Sequence, residues 1–349
     1  MQHLPIFDGH NDVLTRIYRS GANPVDEFTS VGPGHIYTDT ARAGGLGGGF
    51  FAVWVPSPVN LDDLTEEMSK EAYDLPLPEP ISWSDATAVA MAQIADLSTL
   101  EAAGVLEIVT TADRLEACLA EGTFAAILHM EGAEAIDPEL RSLEVFYRAG
   151  LRSLGPVWSR NTVFAEGVPF RFPAMPQAGA GLTPAGKRLV QACNDMGIMI
   201  DLSHLNEAGF WDVAELSSAP LVATHSNAHA ICQHARNLTD AQLDRIGESD
   251  GLVGLNFAAA FLRPDGKMDA DVPMEHLLSH LDHLLDRLGE DRVGLGSDFD
   301  GAVVPQEIGD AAGLPVLREA MKSHGYSIEL VEKICWRNWV RVLRQTWKG

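Results

Sequence analysis

The chain has 349 residues, with 49 acidic side chains against 25 basic ones and a formal net charge of −24. Its 46% hydrophobic and 21% charged composition is that of a globular protein, which excludes a disordered or fibrous chain. The negative surplus argues against nucleic acid, whose phosphates need a basic surface, and against an anionic membrane for the same reason.

In chain order, short apolar runs ending in polar residues recur eight times. They are Pro5–Asp12, Gly48–Val55, Phe124–Gly132, Leu151–Trp158, Gly197–His204, Leu221–Ser226, Gly251–Phe257 and Arg292–Gly301. Segments with helical spacing separate them, among them Ser84–Ala103, Thr183–Met196 and Pro273–Leu288. Eight buried-type strands alternating with helices predict an α/β fold, a (β/α)8 TIM barrel spanning residues 1–349 as one domain. Residues 56–83 and 159–184 are rich in proline and poor in periodic apolar positions. They read as long loops after strands 2 and 4, on the face where barrel active sites lie.

The polar ends of these strands carry the chemistry. The first ends His10-Asn11-Asp12, and residues two apart on a strand point to one side, so imidazole and carboxylate can converge on one ion. The third ends His129-Met130-Glu131, the fifth Asp201-Leu202-Ser203-His204, the sixth Thr224-His225-Ser226 and the eighth Ser297-Asp298-Phe299-Asp300. In a closed barrel these ends surround one mouth. Nitrogen and carboxylate ligands together suit Zn²⁺ and related metals, and a set this large suits a carboxylate-bridged pair of ions.

Other signals are weaker. The glycine run 44–49 precedes a strand and lacks a closing Lys-Ser/Thr, so it reads as a turn and not a phosphate loop. His276, His280 and His283 share a helix face without the glutamate of a zinc-protease helix, which predicts a packed or solvated face. Lys333–Lys348 combines Trp336, Trp339 and Trp347 with five basic residues and reads as a last helix packed on the barrel. Four widely spaced cysteines, no apolar run long enough to span a bilayer and no signal-peptide pattern predict a cytoplasmic protein with no membrane partner.

Several segments resemble the membrane (renal) dipeptidase family of the amidohydrolase superfamily, as a bacterial-type member without a lipid-anchor signal. They are Phe7-Asp8-Gly9-His10-Asn11-Asp12, Met130-Glu131-Gly132, residues 181–187, residues 197–204, Thr224-His225-Ser226-Asn227-Ala228 and residues 294–301. The resemblance implies a metallopeptidase with two Zn²⁺, one held by His10, Asp12 and Glu131 and the other by Glu131, His204 and His225. Glu131 and a hydroxide would bridge them. It implies further that Asp298 moves the proton, as a catalytic and substrate-contacting residue, and that Arg236 holds the terminal carboxylate of a dipeptide. L-Xaa-D-Xaa substrates would be included, and a homodimer is compatible with the family. Trp158 stands where members commonly have a histidine that steadies the tetrahedral intermediate; its indole N–H, or a group such as Arg160, would have to substitute. Two rival readings use the same residues: another amide, lactone or N-acyl hydrolase, or a non-catalytic metal-dependent peptide-binding protein.

Overall fold

In a computed structural model, residues 4–57, 61–175 and 179–348 are described, without the side chains of 61–63. Eight parallel strands form the barrel: β1 (Ile6–Asn11), β2 (Leu46–Trp54), β3 (Ala125–Glu131), β4 (Leu151–Gly155), β5 (Met199–Ile200), β6 (Val222–Ala223), β7 (Leu252–Asn256) and β8 (Val293–Gly296). They run β5-β4-β3-β2-β1-β8-β7-β6, and the parallel bridge Asp201–Val222 joins the two ends. Helices cover the outside, so the strands are buried on both faces and read in sequence as continuous apolar runs instead of alternating ones.

The strands follow the order predicted from the sequence but stop earlier at their carboxyl ends. The reason is polar side chains that take over backbone partners. Asp201 Oδ1 accepts from Ser203 N (3.1 Å) and Thr224 N (2.9 Å), and Asp8 Oδ1 accepts from Ser297 N (2.6 Å). Beyond β4, Pro156 has no N–H to continue the ladder. The predicted helices occupy Trp83–Ala102, capped by Ser82, Pro184–Met196, capped by Thr183 and closed by left-handed Gly197, and Met274–Leu288.

The two predicted loops contain more structure than expected. Residues 56–83 include a helix, Leu61–Glu67, and a short strand, Tyr73–Asp74, which pairs antiparallel with Arg171–Phe172 of the second loop. The Asp74–Arg171 ion pair (2.7 Å) and the Tyr73–Phe172 ring contact fasten the two strands of this ribbon together. Residues 58–60 and 176–178 of these two loops lie outside the described residues.

The opposite end is closed by the C-terminal segment. Trp339 is fully buried, donates Nε1–H to Leu295 O (3.0 Å) and packs against Phe7 and Phe50. Gly9 and Gly294 admit it: a Cβ there would come within 2.4 and 2.6 Å of the indole. The five basic residues of the segment are all engaged: Lys333 with Asp291, Arg337 with Glu332, Arg341 with Asp250, Arg344 with Glu116, and Lys348 with Asp195 O. This is the packed last helix expected from the sequence. Among the described residues, no helix is long and apolar enough to cross a membrane.

Candidate metal centre and active-site cavity

The carboxyl ends of β1, β3 and β8 and the turns after β5 and β6 bring the polar residues together. Glu131 Oε1 lies 3.0 Å from His204 Nε2, 3.4 Å from His225 Nε2 and 3.5 Å from His10 Nε2. Asp12 Oδ2 is 3.4 Å from His10 Nε2. Asp12 occupies the N-cap of the helix Val13–Ser20 but makes no capping bond; the carboxylate of a residue type that usually caps is turned into the mouth instead. Among the described residues, three groups are close enough to hold an ion: His10, Asp12 and Glu131; Glu131, His204 and His225; and His10, His225 and Asp298. The first two are the ligand sets that the sequence resemblance implied.

The donor set suits divalent cations. His204 Nδ1 meets Ser159 Oγ (2.9 Å) and His225 Nδ1 meets Thr224 Oγ1 (2.8 Å), which in turn donates to Asp201 Oδ2 (2.6 Å). Fixing Nδ1 in this way aims each Nε2 at the mouth, an arrangement usual for metal-binding imidazoles. The two Nε2 atoms are 3.1 Å apart, close to the roughly 3.3 Å between ligands of one tetrahedral ion at ~2.0–2.1 Å. His10 is wholly buried, stacks on His225 at 3.8 Å, and finds no hydrogen-bond partner for either ring nitrogen.

Electrostatics points the same way. Burial disfavours a charged His10, yet Glu131, Asp12 and Asp298 outweigh it and push its pKa up to about 10. Burial, aided by Asp12 and Asp298, drives Glu131 well above the carboxylate range against the pull of His10. A cation among these buried carboxylates would offset the cost of keeping them charged. Burial, with Arg236 and His10 nearby, lowers His204 and His225 well below the usual histidine range, which leaves them neutral and able to ligate.

Asp298 lies at the edge of this cluster in the left-handed region, φ 60°. Its Oδ2 accepts from Asn256 Nδ2 (3.0 Å), and burial raises its pKa while His10 opposes the shift. Gly301 makes room for the pair of acids: a Cβ there would come within 2.1 Å of Asp12 Oδ2 and 2.7 Å of Asp298 Oδ1. Asn256 was not singled out by the sequence, since an asparagine closing an apolar strand is common; nor were Ser159 and Thr224, though Thr224 adjoins His225.

The remaining predicted residues fall in different places. Trp158 lines the cavity that opens on the metal residues and packs against Trp54 (5.1 Å), Phe170 (5.6 Å) and His204 (5.8 Å). Arg160 does not reach this cavity. It is wholly buried and donates to Glu134 (2.8 Å), Ser57 (2.6 Å) and Val55 O (2.8 Å), so it is a strut under the second strand and not a substitute for the missing histidine. Arg236 is buried behind the candidate metal residues. Its Nη1 donates to Ser203 O and its Nη2 to His225 O (3.1 Å), its Nε has no partner, and it borders a separate cavity of about 310 Å³. His129 is held deeper in the barrel by Ser153 (2.8 Å). His229, His280 and His283 are hydrogen-bonded to Ala174 O, Leu262 O and Asp240, and His234 accepts from Arg236 N; none of the four joins the metal residues. Asp300 accepts from His35 N (2.7 Å) and pairs with Arg16.

The main cavity is about 710 Å³. Asp12, Glu131, His204 and Asp298 form its floor and Trp54, Trp158, Phe170 and Phe261 its apolar walls. This is the size and lining of a small-molecule site.

Residues 1–348 match the family model for membrane dipeptidase, peptidase family M19. A metallopeptidase from Rhodobacter sphaeroides, solved with a phosphinate mimic of the dipeptide L-Ala-D-Ala, is similar at 53% identity and a TM-score of 0.97, with 99% of each chain covered. A protein of Klebsiella pneumoniae, known as an uncharacterized protein in the pqqA 5′ region, is 47% identical over 73% of this chain and 95% of its own. The dipeptidase tcpJ of Claviceps purpurea is 28% identical over 97% of this chain and 76% of its own. The chain therefore belongs to the membrane dipeptidase family, the M19 metallopeptidases.

Proposed function

We propose that the chain, as one catalytic unit over residues 1–349, hydrolyses dipeptides at a binuclear zinc centre, including L-Xaa-D-Xaa substrates. The observation that carries this is Glu131 Oε1 standing within 3.5 Å of the Nε2 atoms of three histidines. One carboxylate is thereby in reach of both ligand groups. His10, Asp12 and Glu131 would hold one Zn²⁺, and Glu131, His204 and His225 the other. Bound there, the ions would supply a water acidified toward neutral pH and polarisation of the scissile carbonyl. The dipeptide mimic on the Rhodobacter sphaeroides protein supports the substrate class.

The chain's own groups do the rest. Asp298 takes the proton of the attacking water and returns it to the leaving amine; its burial raises its proton affinity toward what that exchange needs. Asn256 fixes Oδ2 and leaves Oδ1 as the working atom. Because Asp298 is also within ligand range of His10 and His225, the metal content of Asp298→Asn separates the two roles. Trp158 bounds the bound dipeptide and excludes water beside His204. Arg236 supplies a buried positive charge, and in the proposed role its fork leaves Ser203 O and His225 O to take the terminal carboxylate.

The test is a zinc-replete assay on L-Ala-D-Ala, L-Ala-L-Ala and versions amidated at the C-terminus or acetylated at the N-terminus. Hydrolysis of the free dipeptides with loss of the amidated ones supports the reading. Preference for the amidated or acetylated versions would place the chain among other amidohydrolase activities, and bound peptide without turnover would make it a binding protein. The buried, unbridged cysteines support the expected cytoplasmic location. A homodimer is a proposal of the family resemblance, for which sedimentation in solution is the check.

A further inference from the structure

Asp12, Thr15, Arg16, Arg19 and Ser20 fall on one stripe of the helix Val13–Ser20 and its cap, and all five line the main cavity. Asp12 belongs to the metal residues; the others form a wall rising away from them. This wall carries polar groups that the fold does not use. Thr15 is 5% exposed and its Oγ1 has no partner; Trp54, in the same lining, is 5% exposed and its Nε1 has none. Arg19 lies over the Trp54 ring, 5.4 Å from its centroid, and pairs with no carboxylate among the described residues. Arg16, one turn earlier, is already committed to Glu27 (2.9 Å), Asp300 (3.3 Å) and Ile36 O (2.6 Å).

Buried donors without acceptors are costly and rare in folded proteins, and two of them beside an unneutralised guanidinium mark a place for an acceptor that arrives with the ligand. Helical side chains lean toward the N-terminus, so Arg19 reaches back toward Asp12, about 10 Å away along the axis for seven residues at 1.5 Å each. A group extending from a substrate held at the metal residues therefore approaches this wall. The overall charge of −24 does not oppose an anion here, because exposed charges more than about 8–10 Å away are largely screened at physiological salt.

We propose that Thr15, Arg19 and Trp54 form a subsite for a side-chain carboxylate, so that the enzyme favours dipeptides containing an acidic residue. This rests on the dipeptidase reading above and narrows its substrate class. A carboxylate would supply the acceptor that the guanidinium, the indole N–H and the hydroxyl each lack. A carboxamide offers no charge to Arg19 and brings donors of its own to a wall made of donors.

The test compares kcat/KM of the zinc-replete enzyme on two matched pairs, L-Glu-D-Ala with L-Gln-D-Ala and L-Ala-D-Glu with L-Ala-D-Gln. The glutamate member of at least one pair is expected to be favoured by roughly 10-fold, the scale of one charge-assisted hydrogen bond. Arg19→Gln should abolish that preference by slowing the glutamate member alone, and Arg19→Lys should restore part of it. A purely structural Arg19 would move both members of a pair together. Equal rates within each pair, or an equal fall of both members in Arg19→Gln, would overturn the subsite while leaving the dipeptidase reading intact. No hydrolysis of any of the four would overturn the dipeptidase reading and the subsite with it.

Discussion

The two ends of the barrel solve opposite problems with the same strands. At the closed end, Trp339 fills the space between Gly9 and Gly294, its indole N–H is paired, and every nearby cation of the last helix has a partner. At the open end, His10, Thr15 and Trp54 keep buried polar atoms without partners, and Asp298 and Asp300 hold positive φ values that non-glycine residues seldom adopt. Trp336 Nε1 aside, the groups at the closed end are paired, whereas the open end keeps several buried polar atoms without partners. The contrast is the division of labour of β/α barrels, with stability below and chemistry above. It also explains why the tryptophan-rich tail packs on the barrel as its sequence suggests: its apolar surface is spent on the core.

If that division holds, substitutions at the two ends should separate activity from stability. The largest effect belongs to the mouth: Asp298→Asn should lower turnover by ~10² to 10⁴ with zinc still bound and the melting temperature little changed. Near-normal turnover would remove Asp298 from its role, and loss of zinc would make it a ligand. At the other end, Trp339→Ala should cost ~3–5 kcal/mol in chemical denaturation, while kcat per folded molecule stays near wild type. Gly301→Ala should return the effect to the mouth. Its Cβ displaces the carboxylates of Asp12 and Asp298, and a displacement on the ångström scale costs up to ~10²-fold in kcat/KM. The smallest change is expected for Arg344→Ala, whose partner Glu116 is half exposed and whose partner Asp113 is almost fully exposed: about 1 kcal/mol or less, shrinking further in high salt.

Much of this asymmetry can be read in the sequence. Apolar runs that end in His-x-Asp, His-x-Glu or Ser-Asp patterns mark both the strands and their functional ends, because alternation along a strand places residues two apart on one side. Their order around the barrel needs only the rule that successive parallel strands with helical crossovers lie side by side. What stays hidden depends on partners distant in the chain. Arg160 looks like a loop residue beside the active site, and only its contacts with Ser57 and Val55, more than a hundred residues earlier, make it a strut. The ribbon between Tyr73–Asp74 and Arg171–Phe172 is two residues long on each side, too short to leave a period. Arg236 is legible as a candidate by its place after His225, but its hold on two carbonyls is not, because backbone acceptors carry no sequence signature. The vacant donors of Thr15 and Trp54 are invisible for a related reason: an unmade hydrogen bond leaves no pattern.

The central claim is that Glu131 joins two metal sites at one mouth, and metal stoichiometry in Glu131→Ala tests it most directly. Elemental analysis of zinc-reconstituted, dialysed protein should give two ions per chain for the wild type and fewer for Glu131→Ala, with the variant still folded by circular dichroism. Two ions retained in Glu131→Ala, or a wild type that never takes more than one, would contradict the bridge.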